Sequence, residues 1–154
     1  KMHKINNEIE EEIYAYLNDR FGLHKNLFSS YSWYTGNSSN IYLGPKQIES
    51  KLNISSPGII ALRKSKTYKP TTNLLQLFGP LIKKSVFNLS SKETLDFCQG
   101  KDIISNSHDY EHLIPGFVAV AYEKRILGCG HWNGEILSCL IPKSRRTHLS
   151  TSPQ

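Results

Sequence analysis

Between Gly116 and Pro142 the chain alternates apolar runs with turn signals closely enough to leave a β meander as the main option. Phe117-Val-Ala-Val-Ala-Tyr122 alternates around valines, and Glu123-Lys124 makes a tight turn. Arg125 to His131 reads as a second strand. Asn133-Gly134 is the strongest short hairpin signal, because both positions accept positive φ. Glu135 to Ile141 returns and Pro142 ends the ladder.

Upstream the pattern is mixed. Ile5, Ile9, Ile13, Leu17 and Phe21 recur every four residues, Asn7 with Glu10 resembles a capping box, and Gly22 offers a left-handed stop. Residues 7 to 21 are therefore expected to form an amphipathic helix with an acidic outer face. Ser32 to Tyr34, Ile41 to Leu43 and Gly58 to Leu62 read as short strands, and Pro45 can start a short helix to Leu52. Thr71 or Thr72 can cap a helix from Asn73 to Phe78 that Gly79-Pro80 ends. Val86 to Leu89 reads as a strand. Ser90 with Glu93 forms a second capping box, opening a helix to Cys98 that stops at Gly100. Ser105 to Leu113 is polar and loop-like, and it carries Asp109, Glu111, His108 and His112. No internal repeat is visible. The predicted organisation is a small α/β domain over residues 1–84, a β domain over residues 85–149 and a frayed tail over residues 150–154.

Charge is segregated. No acid occurs between Glu49 and Glu93, where Lys51, Arg63, Lys64, Lys66, Lys69, Lys83, Lys84 and Lys92 all fall. A second acid-free stretch follows Glu135 and holds Lys143, Arg145 and Arg146. The acids gather instead on the first helix, as Glu8, Glu10, Glu11, Glu12 and Asp19. With a net charge of +6, such segregation points towards polyanions, although an ordinary solvated surface is the plainer explanation of any one stretch. Arg63, Lys64, Lys66 and Lys69 leave a strand with Tyr68 among them, which suits phosphate contacts plus one stacking surface.

Enzymatic devices are scarce. There is no Gly-rich phosphate loop and no HExxH, and Gly128-Cys-Gly130 is followed by a strand rather than a helix. Cys129, His131 and Cys139, with His148, are the best metal candidate, on the reasoning that a hairpin brings Cys139 beside the other two. Small cysteines buried in a β core are commoner. No catalytic residue and no cofactor is expected. Three cysteines without a CxxC suit reduced thiols in an intracellular, cytoplasmic protein. The polar, acidic N-terminus is unlike a signal peptide, and no apolar run approaches a membrane span.

The segment from Val86 resembles a PUA domain. The resemblance rests on Phe97-Cys-Gln-Gly100-Lys-Asp-Ile103, Pro115-Gly-Phe-Val-Ala-Val120, Arg125-Ile-Leu-Gly-Cys-Gly130 and Leu137-Ser-Cys-Leu-Ile-Pro-Lys-Ser-Arg-Arg146. It is similar to the C-terminal PUA-like domains of archaeal and bacterial cytosine-5 RNA methyltransferases, and to the PUA half of Nip-seven-type ribosome-biogenesis factors. Lys69 to Gly79 is similar to the segment preceding the domain in archaeal members. The resemblance implies a pseudo-barrel of about six strands that binds structured RNA; with the mixed helices and short strands upstream, the expectation is an α+β protein, a small α/β domain followed by that pseudo-barrel. It places the RNA-facing surface at Gly100, Lys101 and Asp102, and at Leu140, Ile141, Lys143, Arg145 and Arg146. The basic run Arg63 to Lys69, with Lys83 and Lys84, is expected to extend that surface. The methyltransferase domain itself is absent from these 154 residues.

The expectation is therefore a non-catalytic binder of structured rRNA or tRNA, serving ribosome assembly, ribosome binding or RNA modification. A ribosomal subunit or an RNA-modifying enzyme would be a further partner, and no membrane is involved. The alternative is a protein-interaction adaptor that docks on such an enzyme or a ribosomal protein through the Glu8 to Glu12 face. Replacing Arg145 and Arg146 together is expected to weaken RNA binding and leave stability nearly unchanged.

Overall fold

The structure is a computed structural model and describes residues 2–46, 58–105, 110 and 112–147. The chain divides into two compact units, Lys1–Leu74 and Leu75–Gln154. The division falls inside the short helix α2 (Thr72–Leu77).

The first unit is an antiparallel meander, β1 (His3–Lys4), β2 (Tyr31–Thr35), β3 (Asn40–Pro45), β4 (Ile59–Lys64) and β5 (Tyr68–Pro70), with strands in chain order. Helix α1 (Asn7–Phe21) lies between β1 and β2 in sequence and buries Ile13, Leu17 and Phe21 completely. Gly22 ends it in the left-handed region at φ 68°, as expected. The cap lies one residue earlier than predicted: the Asn6 side chain, not that of Asn7, accepts from the Ile9 amide at 2.9 Å. Ile9, expected on the same apolar stripe, is 37% exposed. Tyr14 accepts a hydrogen bond from the Trp33 indole at 3.1 Å and joins helix to sheet. Thr71 Oγ1 caps α2 by accepting from the Leu74 amide at 3.2 Å. The helix expected from Pro45 to Leu52 lies largely outside the described residues, and Pro45 itself ends β3.

The second unit carries β6 (Val86–Asn88), α3 (Ser91–Cys98), β7 (Ile103–Ile104), β8 (Gly116–Tyr122), β9 (Arg125–Trp132) and β10 (Ile136–Cys139). Its sheet runs β6-β8-β9-β10-β7, with β6 parallel to β8 and the other neighbours antiparallel. This sheet is curled into a half-barrel, consistent with the expected pseudo-barrel within an α+β fold. One face holds the core. Val118 and Val120 of β8, Trp132 of β9, and Leu137 and Cys139 of β10 pack there with Phe87 and Phe97. Phe87 stacks on Tyr110 at 3.9 Å between centroids.

The tight turn expected at Glu123-Lys124 is present, whereas the Asn133-Gly134 turn differs from its sequence reading. Glu123 and Lys124 both have positive φ, 47° and 68°, and join strands paired through Tyr122 and Arg125, which makes a primed two-residue turn. At Asn133-Gly134 only the glycine has positive φ, 102°. There the Asn133 side chain instead accepts from the amides of Glu135 and Ile136 at 2.8 and 2.7 Å, closing an Asx turn in a longer loop.

Candidate RNA-binding surface

The expected surface depends on bringing the end of α3 to the segment after β10. The α3 start is fixed by the full capping box: Ser90 Oγ accepts from the Glu93 amide, and Glu93 Oε1 accepts from the Ser90 amide. At its other end Gly100 turns at φ +92°, and the Lys101 amide reaches back to the Asp96 carbonyl at 3.0 Å. After Pro142 the chain makes a 3-10 turn, Lys143–Arg145, and the Thr147 amide donates to the Cys98 carbonyl at 2.7 Å. The two segments therefore meet.

Arg146 makes the second join. A Cβ at Gly100 would lie 2.7 Å from its Nη1 and 2.8 Å from its Cδ, so a side chain there would displace the guanidinium as well as strain a φ of +92°. Its Nε donates to the Ile141 carbonyl at 3.0 Å, and its Nη2 to that of Cys139 at 3.5 Å. Arg146, expected to grip phosphate, has its guanidinium engaged by these two carbonyls. It is half-buried and holds the two segments together. The guanidinium also favours ionisation of the neighbouring Cys139 thiol, yet burial outweighs it and pushes that thiol up.

The remaining cations have different settings. Arg145 is exposed and donates to Gln76 Oε1 at 2.7 Å, while Gln76 Nε2 donates to the Leu127 carbonyl at 3.1 Å. Lys101 is exposed and pairs loosely with Asp96 at 3.7 Å, a contact of little energetic weight. Lys143, Lys83 and Lys84 are exposed. Gly100, Lys101, Lys143, Arg145 and Arg146 thus stand on two segments in contact. Gln76, which orients Arg145, carried no signal in the sequence, since a lone glutamine on a short helix is unremarkable.

In the first unit, Arg63, Lys64 and Lys66 are exposed and Lys69 is half-buried. Tyr68 corrects its expected role as a stacking surface. It is only 8% exposed, donates to Glu12 Oε1 at 3.0 Å, and packs on Tyr16 at 5.8 Å between centroids. The Lys64 ammonium sits 4.1 Å from the ring centroid, so an incoming base would meet an occupied face. Burial and the Glu12 hydrogen bond push its phenol up to about 12.

The metal candidate weighed in the sequence is not assembled among the described residues. Cys139 pairs with Gly130 and Ser138 with His131, so Cys139 lies on the core face with Trp132 while Cys129 and His131 point to the other. His131 packs edge-on against Phe117 at 5.3 Å. His148 lies outside the described residues, as do Lys51, His108, Asp109 and Glu111. Among the described residues no group of three or more His, Cys, Asp or Glu could hold a metal ion, and no helix is long and apolar enough to cross a membrane.

Residues 84–147 match the family model described as the methyltransferase RsmF PUA domain. A search of curated proteins finds no significant match. The C-terminal segment is therefore a PUA domain like that of an RNA methyltransferase, which suggests RNA binding. The archaeal and Nip-seven-type likenesses expected from the sequence receive no support from this match.

Proposed function

We propose, taking the PUA domain at residues 84–147 as premise, that the protein is a non-catalytic binder of structured rRNA or tRNA. It would serve ribosome assembly, ribosome binding or RNA modification in the cytoplasm. The observation that supports this best is the junction at Gly100. Within the matched segment, Arg146 and the Thr147 amide hold the Gly100-Lys101 loop against the Lys143–Arg145 turn. That contact leaves Lys101, Lys143 and Arg145 as exposed cations on adjoining segments. Cations so placed suit phosphates fixed in space by a folded RNA.

Crosslinking in cells followed by sequencing of the bound RNA tests this reading. Enrichment of rRNA or tRNA, lost on replacing Lys101 and Lys143 together, is the expected outcome. Recovery of protein partners that survive nuclease treatment, with no enriched RNA, would replace it with an adaptor role.

A further inference from the structure

A cavity of about 420 Å³ opens in the first unit, outside the PUA domain. Its size falls in the roughly 300–1,000 Å³ range of small-molecule sites. Ile5, Ile9 and Ile41 give it an apolar floor, and Ile9 is 37% exposed. Tyr68 is the wall, with a charge of opposite sign held at each side. Its hydroxyl donates to the Glu12 carboxylate at 3.0 Å, and its ring carries the Lys64 ammonium at 4.1 Å. The β2–β3 turn closes the rim with Thr35, Ser38 and Ser39, and the Ser39 carbonyl accepts from the Lys64 amide at 2.9 Å. The turn is thereby pinned to β4.

We infer that this cavity holds one unpaired nucleotide, its nucleobase on the isoleucine floor, an exocyclic amine towards Glu12 and its phosphate at Lys64. An apolar floor suits a flat ring, a carboxylate accepts from an amine, and an ammonium neutralises a phosphate. Other occupants fit worse. An acyl chain leaves both charges unmatched, and a lysine side chain satisfies Glu12 but brings its ammonium towards Lys64. The phenol of Tyr68 stays protonated far above neutrality, so it remains a donor that orients the carboxylate. The proposal does not depend on RNA binding by the PUA domain.

Amide shifts of the ¹⁵N-labelled full chain, titrated with CMP, UMP and cytidine, test it. CMP should shift Ile5, Ile9 and Ile41, and UMP, which has no exocyclic amine, should bind about tenfold more weakly. Glu12→Gln should narrow that ratio, because a neutral acceptor forms the weaker bond. Lys64→Ala should abolish the preference for CMP over cytidine. A six-residue oligo(C) that binds the same residues more tightly than CMP would identify the source as an RNA strand; equal or weaker binding would identify a free nucleotide. Equal affinity for UMP and CMP overturns the proposal. So do shifts absent at millimolar CMP or confined to Gly100 and Lys143, and stronger shifts at the floor with N-acetyl-lysine amide, which would mean a peptide. Loss of RNA binding at Lys101 and Lys143 would leave these results untouched.

Discussion

The Arg146 side chain lies across Gly100 with its Cδ 2.8 Å from where a Cβ would stand. A residue expected to grip RNA is thus the joint between the two segments of the expected surface. Its Nε and Nη2 are turned inward to the carbonyls of Ile141 and Cys139, and the glycine opposite is what lets it lie flat. Lys101 on one side and Lys143 and Arg145 on the other are left to face solvent.

Gly100→Ala should be costly on two counts. Its φ of +92° is one that L residues rarely adopt, and the added methyl would meet a guanidinium that carbonyls hold in place. A loss of about 1–3 kcal/mol is expected. The midpoint of urea unfolding measures it, and a change under half a kcal/mol would mean that the joint yields freely.

Arg145 and Arg146 should separate when replaced singly. Arg146→Ala removes charge-assisted bonds to two carbonyls and is expected to cost about 1–3 kcal/mol of stability. Arg145→Ala, at an exposed position, should stay within about 0.5 kcal/mol while weakening RNA binding. Thermal unfolding beside an RNA titration reads both, and equal stability losses would contradict the division of roles.

RNA affinity should fall steeply with salt, because phosphate neutralisation releases counterions. Lys101→Ala and Lys143→Ala should each reduce the slope of log affinity against log salt by about 1. Fluorescence anisotropy between low and moderate salt gives the slopes. A slope unchanged by both substitutions would move the phosphate contacts elsewhere.

Tyr68 contributes a pH-dependent element to the first unit. Its folded phenol, at about 12, lies above the ordinary value of 10.0. A raised value means the unfolded chain loses this proton first, so the stabilisation is complete below about pH 10 and disappears between about 10 and 12. Tyr68→Phe should therefore be less stable than the parent by about 0.5–1.5 kcal/mol at pH 8. The gap should shrink by pH 11. Paired urea titrations at the two pH values check it, and a gap that widens would reverse the assigned sign.

What could be read from the sequence was local. The capping box of Ser90 and Glu93, the Gly22 stop and the runs Gly116–Tyr122 and Arg125–Trp132 act within a few residues and stand where expected, while the last run, expected to Ile141, is a strand only over Ile136–Cys139. Three strands were not legible: His3–Lys4, Tyr68–Pro70 and Ile103–Ile104 are too short for any periodicity to show. Side-chain roles that depend on distant partners were not legible either. Tyr68 is claimed by Glu12, 56 residues away, and Arg145 by Gln76, 69 residues away. Cys139 is parted from Cys129 by strand register, which a spacing argument cannot supply.

The two hairpins carry the same lesson into a stability test. A two-residue turn whose φ values are both positive favours Asn-Gly, yet that position is held by Glu123-Lys124. Asn-Gly stands instead in the longer loop, where Asn133 acts through its side chain. Each L residue in the left-handed region costs about 1–2 kcal/mol, and asparagine and glycine lower that cost. Glycine also gives up more freedom on folding, which offsets part of the gain. Replacing Glu123→Asn and Lys124→Gly together should leave a net stabilisation of about 1 kcal/mol, or a rise of about 2–4 °C in Tm for a chain of this size. Differential scanning calorimetry reads the shift. An unchanged or lowered Tm would show that the Glu123 and Lys124 side chains contribute contacts worth as much as the backbone strain they bear.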